Sequence, residues 1–266
     1  MRRTFSIIAV AVGTVAAASP AGAQKSDEPF HWSGDVQNAH WVYVRNLNGA
    51  VRVQAGSGSK VEVTARKQSR RGNPEDVKIT VTQVGVNKGD VLVCALWRST
   101  DSCDEDGYHS HRDGWGNHNN NDTSVEFTIT LPAGVKVDAS SVNGEVEVDG
   151  VASEVIANTV NGGVSARSAG GPVRAKTVNG QVNVRAGVVD GSNLDYSTVN
   201  GSITIELPAT TNASLDMRTT NGSVSSDFPV TVEGSFSAHR MHGTIGKGGP
   251  TIKLSTVNGS IRLRKL

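Results

Sequence analysis

Aromatic residues make up only 5% of this chain. No stretch beyond residue 23 keeps apolar side chains at the i, i+3, i+4, i+7 spacing of a helix face. Together these absences exclude a helical bundle. Neither sign of charge is in excess: removing residues 1–23 takes away two arginines and no acid, leaving 24 basic and 25 acidic residues. Such a balance gives no reason to expect nucleic acid or a strongly anionic partner. After residue 23 no apolar run reaches membrane-spanning length, so no spanning helix is expected. Cysteine is nearly absent too, with two in the whole chain, Cys94 and Cys103.

The first 23 residues read as a secretory signal. Arg2 and Arg3 give a positive start, Ile7 to Ala18 an apolar stretch, and "AGA" at 21–23 a small-residue cleavage site. "RRTF" also partly matches a twin-arginine signal, so the export route stays open between the two systems. Gln24, not a cysteine, stands directly after the cleavage point, which argues against a lipid anchor. An exported chain with two cysteines is expected to join them, here closing a short loop between Cys94 and Cys103. A loop that small contributes on the order of 2–3 kcal/mol in the chain-entropy description.

What the chain does have is glycine, thirty of them, and valine at alternate positions. Period-two alternation runs through the chain after residue 23, so the fold class is all-β. "TVNG" and its near-copies recur, and aligning them gives a template Φ-x-Φ-x-x-Φ-N-G-x-Φ-x-Φ, with Φ apolar. Its Asn-Gly pairs are Asn143-Gly144, Asn161-Gly162, Asn179-Gly180, Asn200-Gly201, Asn221-Gly222 and Asn258-Gly259, with an outlying Asn48-Gly49 far upstream. "RMHG", with His242 and Gly243, is an eighth, weaker copy. A period near twenty is a solenoid signature, so the expectation is a parallel β-helix-like solenoid of about eight short coils with extra N-terminal strands. The alternative is an antiparallel sandwich or meander in which each Asn-Gly forms a two-residue hairpin turn.

Parity within the template predicts a bend at each Asn-Gly. It places Val160, Val178 and Val199 in one inward column and Asn161, Asn179 and Asn200 on the outer wall. Glycine there lets neighbouring coils approach without a Cβ clash. Stacked asparagine amides about 4.8 Å apart can form a ladder. Residues 24–136 read as N-terminal strands of the same core, 99–124 as a polar insert pinned by the disulfide, and 137–266 as the repeat array. The "VNG" repeats and the entry "TITLPAGVKVDASSVNGEVEV" resemble the putative-adhesin family of bacterial exported β-strand-repeat proteins. The resemblance covers roughly residues 40–266. It implies a β-helix-like fold outside the cytoplasm and transfers no catalytic residue.

The insert is the stretch with the most chemical residues: His109, His111 and His118 lie near Asp104, Glu105 and Asp106, all metal-binding types. Their spacing follows no ligand pattern, and a solvated loop without metal is expected. His239 and His242, and the acidic row Glu145, Glu147 and Asp149, are expected to be surface groups of strands. No general acid, base or nucleophile emerges. The expected function is a non-enzymatic, extracytoplasmic cell-envelope scaffold of structural or adhesin-like binding type. It needs no cofactor, and a glycan or an envelope protein would be its partner. A β-helix enzyme acting on polysaccharide and a metal-responsive envelope-stress sensor are the alternatives.

Overall fold

A computed structural model of the chain describes residues 29–110, 121–189, 191–233 and 237–266. The signal segment, His111 and His118 lie outside the described residues. Alternation produces strands throughout. Before the array come β1 (Phe30–Gly34), β2 (Trp41–Asn48), β3 (Val51–Ala55), β4 (Val61–Gln68), β5 (Lys78–Val84) and β6 (Asp90–Leu96), then the two-residue β7 (Ser102–Cys103) and β8 (Tyr108–His109), and β9 (Ser124–Leu131). The array begins with β10 (Lys136–Asn143), β11 (Val146–Val151), β12 (Val155–Asn161), β13 (Val164–Ser168), β14 (Val173–Lys176), β15 (Val182–Ala186), β16 (Leu194–Ser197) and β17 (Ile203–Leu207). It ends with β18 (Ala213–Asn221), β19 (Val224–Ser226), β20 (Val230–Val232), β21 (Arg240–Ile245), β22 (Thr251–Asn258) and β23 (Ile261–Lys265).

All but β7 and β8, which pair as a small ribbon of their own, lie in two facing sheets. One runs β1-β4-β9-β3-β11-β13-β15-β17-β23-β19, the other β20-β21-β18-β22-β16-β14-β12-β10-β2-β6-β5. Each Asn-Gly repeat contributes one strand to each sheet, and neighbouring coils pair in parallel with like on like: Val146 opposite Val164, Val164 opposite Val182, Val182 opposite Ile203. The centre is therefore a parallel β-solenoid, and the antiparallel meander is excluded at the Asn-Gly sites. Within these two sheets, antiparallel pairs are confined to the ends: β4 on β9 with β1 outside it, β5 on β6, and β21 on β18 with β20 beyond. These short outer strands cover what would otherwise be long open parallel edges.

Between the sheets lies one continuous apolar core, from Val42 and Val44 through Ile261 and Leu263. Along one column the side chains grow toward the C-terminal end, from Ala139, Ala157 and Ala175 to Tyr196, Leu254 and Met217.

Coil order departs from the repeat order expected from sequence. The last coil, β22–β23, lies between β16–β17 and β18–β19 rather than at the end of the stack. The copy around His242 and Gly243 is no coil, because β21 runs antiparallel to β18. The physical reason is chain economy: after β19 the chain turns back as the β20–β21 hairpin and then returns to fill a slot. A comparable return occurs at the other end, where β6 and β9 form a parallel rung between β2–β3 and the β4 and β5 strands.

The larger correction concerns parity. Val160, Val178, Val199 and Val257 are not inward; each is 38–40% exposed. The inward residue is the one before: Ser141, Thr159, Thr177, Thr198, Thr219 and Thr256 are all buried. Strand phase continues through the threonine, as in Val155, Ala157 and Thr159, and the bend follows at Val-Asn-Gly.

Candidate interaction surface

The bend owes its shape to three columns of side chains, and each solves a different problem. At the corner the glycine carbonyl has left the sheet ladder and needs a donor. Thr159 Oγ1 donates to Gly144 O at 2.7 Å, Thr177 to Gly162 at 2.8 Å, Thr198 to Gly180 at 3.0 Å and Thr256 to Gly201 at 2.9 Å. Thr219 donates to Gly259 at 2.8 Å, and Ser141 to Gly49 at 2.9 Å. In the coil of β2 an asparagine takes the place: Asn46 Nδ2 donates to Gly49 O and Val125 O.

The glycines are required by space. A Cβ on Gly180 would lie 1.9 Å from Gly162 O, one on Gly162 2.2 Å from Gly144 O, and one on Gly201 1.8 Å from Gly180 O. Gly144, Gly222 and Gly259 are equally close to the carbonyls of Gly49, Gly259 and Gly201. Without glycine the coils could not approach to hydrogen-bonding distance at the corner.

On the outside the asparagine amides form a continuous ladder. Asn161 Nδ2 donates to Asn143 Oδ1 at 2.9 Å, Asn179 to Asn161 at 2.9 Å, and Asn200 to Asn179 at 2.8 Å. Asn258 donates to Asn200 and Asn221 to Asn258, each at 2.8 Å. At the other end Asn143 Nδ2 reaches Leu47 O at 3.4 Å, and Asn48 Nδ2 donates to Thr123 O at 3.0 Å. Beside this ladder runs the ridge of Val160, Val178, Val199 and Val257, on four consecutive coils. One corner of the solenoid thus presents an apolar stripe next to an amide stripe, both repeating at the strand spacing of about 4.8 Å.

The other expected residues fall outside that corner. Cys94 and Cys103 are joined in a disulfide that ties β7 to β6. His109 Nε2 and Asp104 Oδ2 are 2.8 Å apart, and Asp104 Oδ1 accepts from the Asp106 and Gly107 N–H groups at 2.9 Å. The hydrogen bond with His109, helped by those two backbone donors, holds the Asp104 carboxyl below its ordinary 3.8 against some desolvation. Glu105 Oε1 instead accepts from Gly85 N. Among the described residues no three His, Cys, Asp or Glu side chains gather as a metal site.

His239 Nδ1 meets Gly222 O at 2.8 Å, while His242 Nε2 stands 3.8 Å from Glu233 Oε2. Of the acidic row, Glu147 pairs with Arg52 at 3.7 Å and Asp149 with Arg167 at 3.9 Å. Glu145 is exposed.

Sequence reasoning missed what lies beneath the insert. Arg45 on β2 is 2% exposed, and its guanidinium donates to Asp138 Oδ1 at 2.9 Å, to Asp104 O at 3.2 Å and to Glu105 O. It also lies over the Tyr43 ring, which stacks on Trp41, and Lys136 covers Trp41. Tyr108 is half-buried against Trp97 and donates to Asp101 Oδ2 at 2.5 Å; burial first, and that bond second, push its hydroxyl pKa up. The described part of the insert is therefore packed on the outer wall rather than solvated throughout.

The sequence model described as Toastrack DUF4097 matches residues 75–264. Two solved structures are similar over most of their length. One is described as a putative cell adhesion protein from Clostridium sporogenes ATCC 15579, at 14% identity and a TM-score of 0.43, covering 90% of this chain and 100% of that one. The second is described as a putative adhesin from Bacteroides fragilis NCTC 9343, at 12% identity and a TM-score of 0.40, covering 91% and 98%. Among curated proteins, none matches.

Proposed function

This chain belongs to the Toastrack DUF4097 family, and from that premise we propose that it is a non-enzymatic, exported cell-envelope scaffold that binds in the manner of an adhesin. The observation that carries the reading is the corner stripe, where four half-exposed valines stand beside a ladder of asparagine amides. Exposed apolar side chains in register on consecutive coils lose water on contact with a flat partner. The amides beside them supply donors and acceptors at the same repeat. Each contact is weak, and repetition along the stack raises the total as in any multivalent surface. A glycan or the β surface of an envelope protein would be the partner, since each can offer both apolar faces and hydrogen-bonding groups.

Export is supported by the signal-like residues 1–23 and by the disulfide. Against polysaccharide cleavage stands the make-up of the corner itself, where valines and asparagine amides supply neither a general acid nor a general base at the proposed contact.

The test is a glycan array and an envelope-extract pull-down on the processed protein, run beside a Val178→Lys, Val199→Lys variant. Both sites are on the surface, so melting should be little changed while binding falls at least tenfold. Equal binding by the two proteins would remove the corner from consideration.

A further inference from the structure

The last coil is wedged between two others, and that placement has a consequence for assembly. β22 pairs with β16 on one side and β18 on the other, and β23 with β17 and β19. Among the described residues β19 has no strand partner except β23. Among the described residues, strand pairing therefore ties the coil 213–226 to the rest of the stack through residues 251–265. Every corner bond on either face of the wedge is the standard one. Asn258 donates to Asn200 and accepts from Asn221, while Thr256 donates to Gly201 O and Gly259 O accepts from Thr219.

We infer that residues 251–265 are a donor coil that a second copy of this chain can accept, giving a coil-exchanged dimer. Three features point there. Withdrawing the coil bares four parallel edges at once, on β16, β17, β18 and β19, and bare edges pair with any strand that fits. A second copy supplies the identical coil with identical contacts, so exchange loses none of them, and reciprocal exchange closes every edge about a two-fold axis. The connection from β21 to the wedge is residues 246–250 alone, with positive φ at Gly246 (58°), Gly248 (74°) and Gly249 (148°). It must carry the chain past β18, and short hinges of this kind favour exchange.

The test uses full-length chains, each carrying one introduced cysteine. Ser197 and Ser255 are register partners across β16 and β22, and both are partly exposed. When a Ser197→Cys chain is mixed with a Ser255→Cys chain, coil exchange sets the two introduced thiols side by side, so the mixed disulfide must clearly exceed the like-with-like disulfides that chance surface encounters give. The native pair is already joined. Unfolding the mixture and refolding it at high concentration should give a covalent heterodimer whose yield rises with concentration. Lengthening the hinge by four glycines after Gly248 should cut that yield severalfold.

Thr204→Cys with Arg262→Cys, register partners on the opposite sheet, repeats the test should the first pair fold poorly. Natively melting chains that give only monomer, or dimers that never cross-link at either pair, would overturn the inference.

Discussion

Two adjacent residues of one coil offer a paired test of the corner. Thr177 and Val178 differ by a hydroxyl for a methyl, and the sequence template assigned the core to the second while the structure assigns it to the first. Thr177 is 5% exposed and its hydroxyl donates to Gly162 O at 2.8 Å. Thr177→Val keeps the volume and removes the donor, so the part-buried Gly162 carbonyl loses its side-chain partner. Leaving such an acceptor unpaired costs about 1–3 kcal/mol, and partial access of water at the corner puts the value near the lower half of that range. For a chain of this size roughly 1–2 kcal/mol lowers Tm by about 2–8 °C. Val178→Thr is the mirror change at a site 38% exposed. It adds a hydroxyl that water can reach and should stay within about 0.5 kcal/mol. Thr177→Ser, which keeps the donor as Ser141 does in its own coil, should recover part of the loss. Chemical denaturation of the three variants decides the matter. If Val178→Thr costs as much as Thr177→Val, the valine is the core residue and the threonine column has been misassigned.

Most of the framework was legible in the residues, because a solenoid stacks like on like and the repeat therefore prints itself in the sequence. The parallel stack, the glycine column and the outer asparagine ladder all follow from "NG" recurring near every twenty residues. The face of the valine was not legible from hydrophobicity alone. An apolar letter beside the bend was assigned inward, whereas Thr159, Thr177, Thr198, Thr219 and Thr256 carry a backbone obligation that outranks burial of a methyl. The signal was there, since a hydroxyl residue precedes the valine or its equivalent in every copy from Ser141 onward except the antiparallel one at His242. Coil order was hidden for a different reason. Near-identical coils can stack in any order with the same contacts, so local sequence has little power to say that residues 251–265 sit inside residues 213–226. The valine stripe became visible as a candidate surface only once the threonines were placed. Arg45 beneath the insert had no sequence signal, since an arginine at an outward strand position normally reads as solvated.

Further outcomes follow from the same geometry. Gly180→Ala would set a methyl 1.9 Å from Gly162 O, so the coils must part there; a loss of about 1–3 kcal/mol or more is expected in denaturant melts, and a silent substitution would mean the corner is looser than described. The Tyr196 hydroxyl is fully buried without a protein partner among the described residues, so Tyr196→Phe should leave stability unchanged or raise it by about 1 kcal/mol, and a clear fall would reveal a partner for that oxygen. The insert should answer to acid. Asp104 is held below its ordinary 3.8 chiefly by His109, with the Gly107 and Asp106 N–H groups adding to the effect. A carboxyl lowered in the folded state contributes its full stabilisation above the ordinary value and loses it as pH falls through the lowered one. The turn at residues 104–107 should therefore stay intact at pH 5 and open only below about pH 4. Amide chemical shifts of Asp106 and Gly107, followed by NMR from pH 6 to pH 2, report that opening directly. A midpoint at or above the ordinary carboxylate value would show that these hydrogen bonds do not hold the turn, and Asp104→Asn should then leave both shifts where they were.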